Sequence, residues 1–334
     1  MNDASALTNK ALINKEGELR CLWRVLAFYI SFFLIASLLV AVLGTIFPRF
    51  GDFLVPSETA SSNTKLIAIT LECSLLLISA IIASALCARM IERRTLASTG
   101  YKFHDGWSLD FVLGWAMGTL TIALAVAMVV AVGAMNFTAR QITIAEAARN
   151  FFILFFVLLI AAAFEEVFIR GFAFQALIRD AGPVAAIAIT SVVFAALHLA
   201  NKGSSTLSTV NTAIAGVWLG AAYLKTRSLW LATALHHSWN LVMVIVFGLP
   251  VSGIVDYKSM AWLDGEGISP VWISGGDYGP EGGVAATLAV TLCTLFVARS
   301  RWFTTSDEMK AAIIPGSAAT KTTSLFPKDS SRAS

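Results

Sequence analysis

Apolar residues in this chain come in long runs that charged residues rarely interrupt. Val25–Phe47 contains no charge, Leu66–Cys87 contains only Glu72, and Phe111–Met135 is again uncharged. Phe151–Ile178 is long and carries a charged cluster in its second half. Pro183–Ala200, Leu207–Leu224 and Leu229–Leu249 follow closely, and Val284–Ala298 is the last and shortest run. Roughly 20 apolar residues in helix cross the ~30 Å of hydrocarbon in a bilayer. The pattern therefore predicts an all-α, polytopic membrane helix bundle with about eight transmembrane helices.

Composition agrees with lipid as the main solvent. Of the 334 residues, 57% are hydrophobic and 13% charged, against about 25% charged in soluble domains. The net charge is only +3, but its placement is informative. With the N-terminus inside, 18 of the 24 basic residues fall on the side of the termini and 6 on the other. Short-loop Lys and Arg stay on the cytoplasmic side, so both termini are expected in the cytoplasm and the protein in the plasma (inner) membrane. The basic residues read as topology determinants, and nucleic acid is not an expected partner. Cys21, Cys73, Cys87 and Cys293 form no CxxC pair and read as small buried hydrophobes. The first apolar run is too long for a cleaved leader and lacks a small-residue cleavage site, so it is expected to be retained.

The organisation expected is a cytoplasmic tail over 1–24, a transmembrane domain over 25–298 and a disordered cytoplasmic tail over 299–334. The longest loop, Pro250–Gly283, is rich in Gly and Pro and carries Tyr257, Trp262, Trp272 and Tyr278. It suits an interfacial loop at headgroup level or a lid that touches substrate. No internal repeat is visible, which leaves an inverted-repeat transporter without support.

Ionisable residues within spans are costly and mark function. The fourth run contains Glu165-Glu166-Val-Phe-Ile-Arg170. Glu166 and Arg170 are four apart and share a helix face, where they can pair, while Glu165 points about 100° away. An ion-pair clip between helices is the bland alternative. The fifth run ends Phe194-Ala-Ala-Leu-His198, and the seventh contains His236-His237-Ser-Trp-Asn240. His198 or His236 taken singly also suits a packing residue, but three of the four histidines lie in spans, with only His104 in a loop. At about 1.5 Å per residue, Glu165 lies ~20 Å in from Ile178 and His198 ~22 Å from Pro183. His236 and Asn240 lie ~10 and ~16 Å in from Leu229 by the same rise. Lipid-facing polar groups at such depths are not tolerated, so these residues are expected to converge on one water-filled cavity. A carboxylate in an apolar pocket can serve as general base, a histidine beside it can orient water, and an imidazole N–H with an Asn amide can form an oxyanion hole. The set Glu165, His198 and His236 also contains zinc donors, but neither HExxH nor its inversion occurs, and no Ser lies in GxSxG.

The segments Glu165-Glu166-Val-Phe-Ile-Arg170, Phe194-Ala-Ala-Leu-His198 and His236-His237-Ser-Trp-Asn240, in order and over about residues 150–250, resemble the motifs of the CPBP family. That family groups CAAX proteases and bacteriocin-processing enzymes and is also called ABI. The resemblance implies an intramembrane endopeptidase in an eight-span bundle. By it, Glu165 is the base for the attacking water and His198 helps activate it, His236 and Asn240 stabilise the oxyanion, and Glu166 with Arg170 holds the helices. His237 has no counterpart in those motifs. Eukaryotic members remove the last three residues of prenylated CaaX proteins, and bacterial members are tied to bacteriocin maturation or self-immunity. The expected partner is a membrane-embedded or membrane-proximal peptide within the lipid bilayer. No cofactor is favoured, zinc being the one considered. A non-catalytic bacteriocin-immunity-type membrane protein and a proton-coupled transporter are the competing readings.

Overall fold

In the computed structural model, which describes residues 12–13, 19–57 and 59–313, a helix accounts for each apolar run. They are α1 (Cys21–Ile46), α2 (Ser62–Met90), α3 (Trp107–Ala131), α4 (Ile144–Arg170), α5 (Phe172–Leu197), α6 (Thr206–Thr226), α7 (Leu229–Ile245) and α8 (Val284–Arg299). Five stretches are long and apolar enough to cross a membrane: α1, α2, α3, the continuous run 144–197, and α6. The molecule is a multi-pass helical membrane protein. The helix starts follow from local chemistry. Ser61 accepts a hydrogen bond from Thr64 N at the head of α2. Thr143 and Glu146 form a reciprocal capping box on α4, and Ser205 with Ser208 forms one on α6.

The run read as a single fourth span, Phe151–Ile178, is corrected. Helix α4 stops at Arg170, and Gly171 departs from helical geometry. Residues 172–181 then form a separate helical piece that ends at Gly182, φ 84°, just before Pro183. An L-residue rarely adopts that φ, and Pro183 cannot donate back into the preceding turn, so the chain bends there and the fifth crossing begins. Glu165 is consequently five residues, or ~7.5 Å, from the end of its own helix, not ~20 Å.

Two faces of the bundle are defined by contacts between loops. On the terminal face, Arg24 pairs with Glu92 and Asp180, and Arg179 also reaches Glu92. There Lys102 pairs with Glu308 at 2.8 Å, and Trp230 Nε1 donates to Lys102 O. The segment beyond Arg299, expected to be a disordered tail, contains the helix Asp307–Ile313 and buries Phe303 and Met309 in its described part. On the opposite, loop face, strands β1 (Met135–Ala139) and β2 (Leu263–Gly267) pair antiparallel with Phe137 opposite Gly265. This small sheet, absent from the sequence reading, fastens the α3–α4 connection to the loop 250–283.

Helix α7 lies at the centre and every residue of it except Trp230 is buried. Gly114 and Gly118 of α3 face it at backbone distance: a Cβ on Gly118 would meet Ser238 Oγ and lie 2.5 Å from Leu235 O. Small residues four apart let membrane helices approach this closely. The register of α7, and hence of His236 and Asn240, is set by that contact.

Candidate active site

Glu165 and Glu166 are adjacent in the last turns of α4 but occupy different surroundings. The Glu166 side chain is fully buried, whereas that of Glu165 is 32% exposed. Arg170, one turn on and equally buried, donates to Glu166 Oε1 at 2.9 Å and to Gly216 O at 3.2 Å. Its guanidinium lies 5.1 Å from the Phe194 ring centroid, a cation–π contact. Gly216 permits this geometry because a Cβ there would sit 2.7 Å from Ser191 Cα on α5. One ion pair thus joins α4, α5 and α6.

The same Glu166 Oε1 is 3.0 Å from His236 Nδ1 on α7. A carboxylate paired with an arginine only accepts, so Nδ1 carries the proton and Nε2 turns to the other side. There it lies 3.8 Å from Glu165 Oε2, which has no hydrogen-bond partner among the described residues. His198, at the end of α5, is held similarly: its Nδ1 is 2.8 Å from Phe194 O, which also only accepts. In both neutral histidines Nε2 is left with a lone pair. His236 can donate from Nε2 only when it carries a second proton.

Glu165, His198, His236 and Asn240 line one cavity of about 490 Å³ with a largely apolar wall. His236, Trp239 and Asn240 are spaced i, i+3, i+4 and share the face of α7 turned toward it. The six residues singled out in sequence thus divide into four that line the cavity and two, Glu166 and Arg170, behind its wall. His237 points elsewhere, its Nε2 3.0 Å from Phe155 O. Cys73 also lines the cavity.

Five residues of the loop 250–283 join them: Val251, Ser252, Ile254, Tyr257 and Glu281. Glu281 accepts from Trp239 Nε1 at 2.9 Å and from Ser252 N and Oγ at 2.7 and 2.8 Å. Its backbone carbonyl accepts from Asn211 Nδ2 at 2.8 Å. Burial raises the Tyr257 phenol above its ordinary pKa, so it stays a neutral O–H group on the wall. The loop therefore touches the cavity, as the lid alternative supposed. Glu281 was missed because it belongs to no helix motif, and its only signal was a lone carboxylate in an aromatic, Gly-rich loop.

Zinc needs three or four donors around one point. Among the described residues no three His, Cys, Asp or Glu side chains come together in such a group. Glu165, His198 and His236 share the cavity without forming such a group.

Residues 147–242 match the family model described as type II CAAX prenyl endopeptidase Rce1-like. Comparison with curated proteins returns no match, and comparison with solved structures returns none either. The matched segment runs from the first turn of α4 to the last turn of α7 and includes all six motif residues. The stretch 147–242 of this multi-pass membrane protein thus matches the Rce1-like family of CAAX proteases.

Proposed function

We propose that this protein is an intramembrane endopeptidase that hydrolyses a peptide bond with water activated by Glu165. The observation that carries the reading is the unlike treatment of two adjacent carboxylates around one histidine. Glu166 is sealed by Arg170 and holds His236 Nδ1, while Glu165 faces the cavity 3.8 Å from His236 Nε2. One carboxylate positions, and the other is left to react.

Glu165, assisted by the His198 Nε2 lone pair, takes a proton from water as its oxygen attacks the scissile carbonyl carbon. The oxyanion receives hydrogen bonds from Asn240 Nδ2 and from His236 Nε2–H in its doubly protonated form. Collapse breaks the C–N bond, and the proton held on Glu165 passes to the leaving amine. One water is consumed, and a carboxylic acid and an amine are released. No metal takes part in any step. The substrate is a membrane-embedded or membrane-proximal peptide, and the protein sits in the plasma membrane.

Purified protein in proteoliposomes with an internally quenched peptide library tests this. Glu165→Gln should lower the rate about 10²- to 10⁴-fold, the usual worth of a general base, with the melting temperature unchanged. Asn240→Ala should lower kcat about 10²- to 10³-fold, as the loss of an oxyanion donor does. Full activity in Glu165→Gln protein would overturn the assignment. Exhaustive chelation should leave the rate unchanged; loss restored by zinc would recast His198 and His236 as ligands.

A further inference from the structure

The cavity belongs to one face of the bundle. Ser252, Ile254 and Glu281 on its wall come from the loop 250–283, and Asn201 comes from the α5–α6 connection on that same face. Among the described residues, none of the segments 91–106, 172–182, 226–230 or 299–313 contributes to the lining. Its floor is the buried Glu166–Arg170 pair. Beyond the floor lies the terminal face, laced by Arg24, Glu92, Arg179 and Asp180. Ile254, 40% exposed, stands where the lining meets the surface, as do Phe33 of α1 and Leu197 at the loop-face end of α5.

The two faces differ in charge. Twelve described Lys and Arg residues cluster at the terminal face, from Arg20 and Arg24 through Arg94 and Lys102 to Arg299 and Lys310. The loop face has six: Arg49, Lys65, Arg140, Arg149, Lys202 and Lys258. Of these, Lys65, Arg140 and Lys258 pair with Asp256 or Asp264 on the same face. Exposed tryptophans mark both headgroup levels, Trp23 and Trp302 on one side and Trp262 and Trp272 on the other. Basic loops stay in the cytoplasm because moving them across the membrane is opposed, so the terminal face is the cytoplasmic one.

We infer that the cavity opens away from the cytoplasm, on the loop face, and takes a peptide segment presented from that side. This rests on the peptidase reading for the nature of the occupant, but not for the side on which the cavity opens. The substrate is then a translocated segment, such as the outer flank of a membrane-anchored peptide.

The experiment uses full-length protein with Cys21, Cys73, Cys87 and Cys293 replaced by serine, and one reporter cysteine at a time. Ile254→Cys probes the mouth, Asp277→Cys a second point on the loop, and Phe103→Cys the terminal face. A charged, membrane-impermeant maleimide is applied to right-side-out and to inverted membrane vesicles. Ile254→Cys and Asp277→Cys should be labelled in right-side-out vesicles with labelling lost on inversion, and Phe103→Cys should show the reverse. The opposite pattern, or labelling of Ile254→Cys from both sides, would overturn the inference. Labelling does not depend on proteolysis, so failure here is distinguishable from failure of the peptidase reading, and the Asp277 reporter covers a misfolded Ile254 variant.

Discussion

At the scale of single residues, the site depends on keeping one carboxylate buried and one accessible. Arg170 is the only Lys or Arg hydrogen-bonded to Glu166 among the described residues, and both are sealed from solvent. Removing one partner of a buried pair strands the other and typically costs about 3–5 kcal/mol. Arg170→Ala should therefore abolish the folded protein in detergent, read as loss of the monodisperse peak and of a melting transition. Glu165→Gln should melt like the parent, because an amide of equal size sits at a half-open site. Equal destabilisation by the two would make the cluster a mere helix clip. Glu281 supports a second prediction. With Glu165 it brings two carboxylates to the cavity, and no Lys or Arg lines the wall among the described residues. An unpaired carboxylate on a peptide is then opposed by like charge, whereas an internal or amidated stretch is not. Glu281→Gln should raise the relative kcat/KM for peptides with a free carboxylate next to the cut bond by about tenfold, roughly 1.4 kcal/mol of relieved repulsion. Unchanged relative rates would reduce Glu281 to a loop fastener through Trp239 and Ser252.

Among the elements, α7 matters most because it brings His236, Trp239 and Asn240 to the cavity while packed on every side. Its seat against α3 is made by Gly114 and Gly118. At Gly118 the obstacle to a methyl group includes the Leu235 carbonyl, which is backbone and cannot rotate aside. Gly118→Ala should force the helices apart and cost about 1–3 kcal/mol, the usual range for overpacking. Because α7 moves as a unit, kcat should fall with stability while KM changes less; kinetics beside a thermal melt check this. A parental kcat in a protein that melts lower would mean that the displacement spares His236. The bend at Gly171 and Gly182 shows the limits of reading elements from hydropathy. The apolar run through Phe172–Leu177 looks like more of the fourth span, yet the chain turns at Arg170, because Gly171 leaves the helical region and the ion pair anchors Arg170 to Gly216 on α6.

At the scale of the whole molecule, the eight helices run alternately between two faces, so Arg20 and the helix Asp307–Ile313 share one face. Reporter fusions after Ser334 and within Gly275–Gly283 should therefore report opposite sides of the membrane. The same sidedness at both points would remove α8 as a crossing. The 17- and 16-residue helices α7 and α8 are short by composition alone, but α7 is wrapped by its neighbours and needs no lipid-matched length.

Hydropathy and spacing were enough to read the helical class, the runs that become helices, and the three motifs whose residues meet. Each of these is written locally: an apolar run cannot face water, and a charge within it must find a partner. The i, i+4 spacing of Glu166 and Arg170 even carried their pairing. Other features are properties of neighbours in space. These include Glu166 Oε1 taking both Arg170 and His236 and the small sheet that fastens the loop. The seat of α7 on Gly118 and the arrival of Glu281 and Ser252 at the cavity are of the same kind. They bring together positions 40 to 130 residues apart, and no local periodicity encodes such a meeting. Only the packed bundle, by burying α7 among its neighbours and folding the loop 250–283 over its end, decided which residues line the cavity.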